Sequence, residues 1–421
     1  MPSHPRKRSR AEEREISPPP LRRKLHHEPD LTASSPQVTR SKSVGRGSQK
    51  AIKTRFEIIS WNVNGISHLL PRSQKSIKAF FSSSSSRQNT ERDTDDEDQV
   101  SDPANSLSPL RKFLKRHHFP QIICLQEVKI SAKDEKTRKA VERAANEGEG
   151  PEYHLSFELP RDKFNATGWG GKVYGVCTLI RDDVMGLGKV ETKGVQWDLE
   201  GRVLVTEVEF WRRETEVEAI SEKLVVFNGY WPNGTTNPWR DSNTGIIKGT
   251  RHDMKRNFHS LMLSEVLRYQ EARWQVVLIG DMNIARSPLD GYPGIRLGAE
   301  HVRNRREWNE MFIWGEDGME GIDSWRWING ERRGYSYHGE KAEEWGRSCD
   351  RVDLGVVSRG LIGEGNGEPK RTQMRLAGAE IWESIEERGG SDHVPISVVL
   401  DLGEIGLRPK IDRDRGFGLE D

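Results

Sequence analysis

The sequence predicts a mixed α/β fold, and three observations carry that expectation. Apolar runs of strand length recur along the chain, at least two amphipathic helices interleave with them, and polar blocks open where the runs end. The 421-residue chain is 33% hydrophobic and 31% charged. That balance fits one folded body diluted by solvated segments better than several compact domains. Formal net charge is only +1, so affinity for nucleic acid would have to come from a local basic surface.

Residues 1–54 scatter Pro, Ser, Arg and Lys without apolar periodicity. Such a segment cannot bury enough surface to offset its ordering entropy and is expected to be a disordered basic tail. Its clusters Arg6-Lys7-Arg8-Ser9-Arg10 and Arg22-Arg23-Lys24 read as nuclear import signals or a nucleic-acid-binding arm, against the plainer reading of a solvated tail. A nuclear location is the expectation. A mitochondrial one is the alternative, which the early Glu12, Glu13 and Glu15 count against.

The folded domain is expected over residues 55–402, opening with a strand at Phe56–Ser60. A serine run and Asp95-Asp96-Glu97-Asp98 mark a flexible insertion at about 82–106. Ser108-Pro109 then supplies an N-cap and first-turn proline for a helix through His117, with Leu110, Phe113 and Leu114 facing inward. Further strands are expected at Ile122–Leu125, Tyr174–Ile180, Val203–Phe210, Leu224–Tyr230, Gln275–Gly280, Val352–Val357 and Val394–Leu400. Phe258, Met262, Val266 and Tyr269 recur at three- and four-residue spacing and predict a helix between two of these strands. The stretch Gly360–Gly367 reads as a loop and residues 403–421 as a polar tail. No internal repeat is visible, although two similar halves of a sandwich could hide one.

Cys124, Cys177 and Cys349 lack metal-ligand spacing and lie in or beside apolar runs, as buried free thiols of a reducing compartment would. No apolar stretch approaches the roughly 20 residues of a membrane span, and no secretory signal opens the chain. An intracellular protein without a membrane partner is expected.

Six polar blocks sit at strand mouths: Ser60-Trp61-Asn62-Val63-Asn64-Gly65, Leu125-Gln126-Glu127-Val128-Lys129, Tyr230-Trp231-Pro232-Asn233-Gly234, Gly280-Asp281-Met282-Asn283, Asp350-Arg351-Val352-Asp353 and Ser391-Asp392-His393. Each alone has a plain alternative. Asn62 and Asn64 before Gly65, like Asp281 and Asn283 after Gly280, are good turn chemistry. Glu127 would pass for a surface acid, and Asp353 for a salt-bridge partner of Arg351 or another arginine. Together they supply what phosphodiester hydrolysis requires: a carboxylate for a hard cation, an activator of water and a stabiliser of anionic charge. Since His393 cannot easily use its sequence neighbour Asp392 to orient its ring, Asp353 from another strand is the better candidate.

The same blocks in this order resemble the endonuclease/exonuclease/phosphatase superfamily, and within it the exonuclease III-like apurinic/apyrimidinic endonucleases. The resemblance runs from about Phe56 to Leu402 and includes Tyr174-Gly175-Val176 and Glu200-Gly201-Arg202. It implies a four-layered α/β sandwich: two mostly antiparallel sheets face to face, helices outside, and a site where strand-end loops converge. It further implies Glu127 as principal ligand of Mg²⁺ (Mn²⁺ as alternative), with Asn62 close by and Asp392 as a further ligand. Asp281, helped by Asn283, would orient or deprotonate water, and His393, held by Asp353, would stabilise charge on the phosphate. Tyr230 and Asn233 would contact the phosphate or assist the leaving oxygen, with Asn64 also on the substrate side. Asn64, Val128 and Trp231 depart from common members of the group, and Thr235 to His252 is longer than in compact ones. Tyr335-Ser336-Tyr337-His338 and Trp345 map loosely onto the group's damage-recognising pocket and receive no role.

The implied activity is Mg²⁺-dependent hydrolysis of damaged duplex DNA 5′ to abasic sites, with 3′-to-5′ exonuclease action as a companion. The alternatives are a relative acting on another phosphoester, such as an inositol polyphosphate, and a catalytically inactive binding module. Oligomeric state is left open.

Overall fold

In the computed structural model, the residues described are 55–71, 107–166, 173–211, 222–339, 345–363 and 372–403. The expected basic tail, the insertion at 82–106, the end of the Gly360–Gly367 loop and all but Gly403 of the polar tail lie outside them. Two six-stranded sheets dominate the described residues. The first runs β16 (Arg375–Ile381), β17 (Ile396–Asp401), β1 (Arg55–Asn62), β2 (Ile122–Gln126), β4 (Val176–Arg181), β3 (Tyr153–Glu158). The second runs β12 (Ile322–Asp323), β15 (Asp353–Val357), β10 (Gln275–Asp281), β7 (Lys223–Tyr230), β6 (Val203–Phe210), β5 (Gly188–Gly194). In each sheet one central pair is parallel, β1 with β2 and β7 with β10, and the flanking pairs are antiparallel. The two halves thus share one plan, the repeat that the sequence did not display. Smaller pairings join β8 (Pro238–Arg240) to β9 (Ile247–Thr250), and β11 (Gly291–Tyr292) and β13 (Tyr337–His338) to β14 (Cys349–Asp350).

Side-chain alternation along the strands builds the layers. In β1, Phe56 and Ile58 point between the sheets and meet Cys124, Ile180, Val226, Ile279 and Val398, all buried. Ile59 and Trp61 point the other way, onto Leu110, Phe113 and Leu114 of the helix Pro109–Arg116 and Val141 of the helix Glu135–Asn146. The outer face of the second sheet (Val205, Phe227, Val276, Leu278, Leu354) packs on Phe258, Met262, Val266 and Tyr269 of the helix Arg251–Glu271. The order helix, sheet, sheet, helix is the four-layered sandwich expected.

Observed strand limits differ from the expected ones by at most two residues, for local reasons. Gly175 turns at φ +106° and its carbonyl accepts from Val128, so β4 starts only at Val176. The Val394 amide donates to Ser336 rather than to a sheet neighbour, so β17 starts at Ile396. All three cysteines are buried and unpaired. Among the described residues, no helix is long and apolar enough to cross a membrane.

Candidate active site

The parallel pairs set the position of the site. β1 and β2 end side by side at Asn62 and Gln126, and β7 and β10 end side by side at Tyr230 and Asp281. β15, antiparallel to β10, begins there with Asp353 opposite Asp281. The segment Ser391–His393 reaches the same end just before β17, which runs antiparallel to β1. Below it, a buried polar seam joins the sheets: Gln126 donates to Ser60 and, at 2.8 Å, to Asn228, whose amide donates to Thr178 at 3.1 Å.

Backbone strain marks the loops. Asn64, Glu127 and Asn283 adopt φ of +49°, +50° and +51°. Asparagine tolerates the left-handed region, but for glutamate it costs roughly 1–2 kcal/mol. The bonds Val128 N–H to Gly175 O (3.0 Å) and Lys129 N–H to Tyr174 O (3.1 Å) hold the glutamate loop in that shape.

Asn62 is the hub. Its amide nitrogen donates to Glu127 Oε1 at 3.1 Å and to Asp281 Oδ2 at 3.0 Å, and lies 3.5 Å from His393 Nε2. Glu127 and His393, 266 positions apart by number, are thereby brought to one side chain. His393 Nδ1 donates to Asp353 Oδ2 at 2.7 Å, while Nε2 faces Asp281 Oδ2 at 3.9 Å and Asp392 Oδ1 at 4.0 Å. Arg351 takes no part: it binds Asp290 and Asp323 instead, so the alternative pairing of Asp353 with Arg351 is not formed.

Electrostatics follow from this crowding. Burial and then the charge of Asp353 push the Asp281 carboxyl up to about 7. Burial would lower His393, but Asp353, and behind it Asp281 and Asp392, raise it to about 10. Glu127 is pushed up by burial, yet the Lys129 ammonium at 2.9 Å and its contacts with Asn62 and Tyr230 hold it below the ordinary range.

The remaining expected residues divide. Asn283 joins the site, its amide donating to Asp281 Oδ2 (3.1 Å) and Trp231 O (2.9 Å). The buried Tyr230 ring reaches Glu127, which with burial drives its phenol far upward. Asn64 accepts from Lys129 beside Glu127. Asn233 lies at the exposed rim, held by Arg296 at 3.2 Å. Ser336 and Ser391, which the sequence motifs contain without a role, accept from Asp353 N–H (2.9 Å) and His393 N–H (3.1 Å) through their hydroxyls. Trp61, likewise quoted without a role, donates to His393 O at 3.0 Å. Arg202, quoted only as a motif, lies over Tyr174 and Tyr230 at 3.8 and 4.8 Å from the ring centres. The unassigned Tyr337 packs edge-on against the His393 ring, and Trp345 stacks on His338.

The donor set suits a hard divalent cation. Asp281, Asp353 and Asp392 crowd around one imidazole, and a buried Asp353 oxygen, Oδ1, has no hydrogen-bond partner among the described residues. A cation would offset that negative charge. Asp281, Asp353 and His393 bring ligand atoms within 4.8 Å of one another, but that closeness is the His393–Asp353 hydrogen bond itself. Glu127, more accessible and oxygen-only, is the better ligand. Asn62 turns its nitrogen to the carboxylates while its oxygen accepts from Asn64 N–H at 3.0 Å, so service as a ligand requires its amide to turn over.

A cluster of acids around one imidazole thus sits at one end of a four-layered α/β sandwich. Residues 59–341, more than half of the chain, match the endonuclease/exonuclease/phosphatase family, and the chain belongs to it. Its fold is similar to that of the catalytic domain of Xenopus laevis APE2 (19% identity, TM-score 0.52, covering 83% of this chain and 92% of that one). It is also similar to the AP endonuclease LMAP from Leishmania major (17% identity, TM-score 0.52, 85% and 96% covered). A search of curated protein sequences returns no match.

Proposed function

We propose that this protein is a Mg²⁺-dependent hydrolase of DNA phosphodiesters that cuts 5′ to abasic sites in damaged duplex, with 3′-to-5′ exonuclease action as a second mode. The carrying observation is the Asp353–His393 pair, which faces Asp281 and meets Glu127 across Asn62. Glu127, Asp392 and a turned Asn62 would hold the cation, Mg²⁺ or alternatively Mn²⁺, which when bound polarises a phosphoryl oxygen.

The chain's own groups do the rest. Asp281, with a proton affinity raised toward neutrality, takes the proton of the attacking water, and Asn283 fixes its carboxylate. His393 stays protonated because Asp353 holds Nδ1, and presents its Nε2 proton to the growing negative charge. Tyr230 steadies Glu127 from the second sheet, and Asn233 and Asn64 meet the substrate at the rim. The AP endonuclease name carried by the similar Leishmania major structure supports the choice of substrate.

The test is purified protein with Mg²⁺ and a duplex bearing one abasic site, beside an undamaged duplex and an inositol polyphosphate. Site-specific nicking that disappears in Glu127→Gln supports the proposal. Phosphate release from the inositol compound alone refutes it in favour of another phosphoesterase, and inertness on all three in favour of a binding module. A nuclear destination rests on the basic clusters within residues 1–54, and replacing their Arg and Lys in a fluorescently tagged protein tests it.

A further inference from the structure

A second cavity shares a wall with the site. Lys255, Arg296, His301, Asn304, Arg305 and Asp350 line it, and it touches the back of Asn283. Arg296 and Arg305 are cations, Asp350 is a carboxylate, and burial lowers the Lys255 ammonium to about 7. Among the described residues, neither Lys255 nor Arg296 nor Arg305 forms an ion pair; their hydrogens go to neutral oxygens. Lys255 Nζ donates to Asn283 O at 2.8 Å and Asn233 O at 3.3 Å, Arg305 to the carbonyls of Ala285 and Arg296 at 2.7 Å, and Arg296 to the Asn233 amide oxygen.

The lysine is 1% exposed. A buried cation is costly, and the charge of Asp281 offsets only part of that cost for Lys255. The strain shows in the neighbours: burial and then Arg296, His252 and Lys255 lower His301 to about 4, so that it is neutral at pH 7. Asp350 is the one acid on the wall, and it already answers to both Arg296 and Arg305. The lining therefore keeps an excess of positive charge that an anion would neutralise. Asn283 lines the cavity, and Lys255 and Arg296 of its wall bond to Asn233, so an anion held there would lie beside two residues of the main site.

We propose that this cavity is a second phosphate subsite, which takes a phosphate group next to the scissile one on the same DNA strand. The proposal rests on the reading of the main site as a DNA-strand hydrolase. Arg296, at the exposed lip, and Arg305, deeper, supply the charge-assisted hydrogen bonds, and Lys255 supplies the field at the base. Free inorganic phosphate has the same chemistry, so the experiment separates the two sources.

The test uses the full chain and duplexes carrying a tetrahydrofuran abasic analogue. Each non-scissile phosphate near the lesion is replaced in turn by an uncharged methylphosphonate, and binding is measured without divalent metal to prevent cleavage. In wild type, one replacement should weaken binding about tenfold, the loss of one charge-assisted contact. In Arg296→Gln and in Arg305→Gln the same replacement should cost less than about twofold. Each variant's salt dependence should also be shallower, by about 0.9 in the slope of log K against log salt. Arg305→Gln leaves the Arg296–Asn233 contact in place, so concordance of the two variants separates the cavity from a disturbed Asn233. Identical replacement profiles in wild type and both variants overturn the proposal.

Inorganic phosphate, followed by ³¹P line broadening, serves as the second probe. If wild type neither binds nor nicks DNA but broadens phosphate in an Arg305-dependent way, the strand source is overturned, along with the reading of the main site, and only an anion pocket is left. If phosphate also ignores both substitutions, the pocket itself is refuted.

Discussion

Lys255 should contribute stability that rises between about pH 7 and 10.5. In that window His393, held at about 10, contributes in the opposite sense, so the Lys255 effect is read against a variant that lacks it. Burial lowers its ammonium from the ordinary 10.5 to about 7, with Asp281 offsetting part of the effect. Between about pH 7 and 10.5 the folded protein has released this proton while the unfolded chain still binds it. The unfolded state then holds more protons, and linkage requires stability to increase with pH; below pH 7 both states are protonated and the full penalty applies. From pH 6 to pH 9 the recovery is roughly 2–3 kcal/mol as an upper bound. Lys255→Met removes the titration while keeping an apolar chain of similar length. It also strands the carbonyls of Asn233 and Asn283, at a cost of about 1–3 kcal/mol each. That cost does not change with pH, so the informative quantity is the difference between wild type and variant. Urea unfolding at pH 6, 7, 8 and 9 should show it moving in favour of wild type by about 2 kcal/mol. Parallel stability curves, or a shift in favour of the variant, would refute the reasoning.

Three other outcomes are expected. Glu127→Gln should lower Mg²⁺-dependent nicking by on the order of 10²–10³-fold with unchanged circular dichroism, because it removes a charge placed for the reaction and leaves the core intact. Gly280→Ala should destabilise the fold by about 2 kcal/mol or more in urea: φ there is +145° and a Cβ would collide with the Gly229 carbonyl on β7. Burial pushes Glu387 up, but hydrogen bonds from His117 and Arg116 hold it down to about 2. Its contribution to stability is therefore present above pH 4.5 and lost as pH falls toward 2; in urea unfolding, Glu387→Gln should be less stable than wild type at pH 6 and nearly equal to it at pH 2.

What could be read in the sequence follows the physics of burial. Strands such as Val276–Ile279 are apolar on both faces because each is covered by a layer, and so they announce themselves as runs. Edge strands do not. β5 (Gly188–Gly194) and β16 (Arg375–Ile381) are partly exposed and carry Lys, Glu and Gly, and neither was anticipated. The helix Glu135–Asn146 escaped notice because only Val141, Ala144 and Ala145 are buried. At the site, strand-end acids such as Glu127, Asp281 and Asp353 were legible, since a carboxylate directly after or within an apolar run is out of place unless it has work. Ser336, Ser391 and Lys255 were not: a serine that accepts one amide, or a lysine under two loops, is defined by chain segments distant in sequence.

The division of the site between the sheets has a mechanical consequence. Asn62, Glu127, Asp392 and His393 travel with the first sheet; Tyr230, Asp281 and Asp353 travel with the second. The contacts across the gap, Asn62 to Asp281 and His393 to Asp353, are directional hydrogen bonds, as are Gln126 to Asn228 and Asn228 to Thr178 in the seam below. A small relative shift of the sheets breaks these before the less directional apolar contacts. A slip of one layer along the other would therefore disarm the enzyme while leaving nearly all of its greasy contacts in place, and inactivation should run ahead of melting.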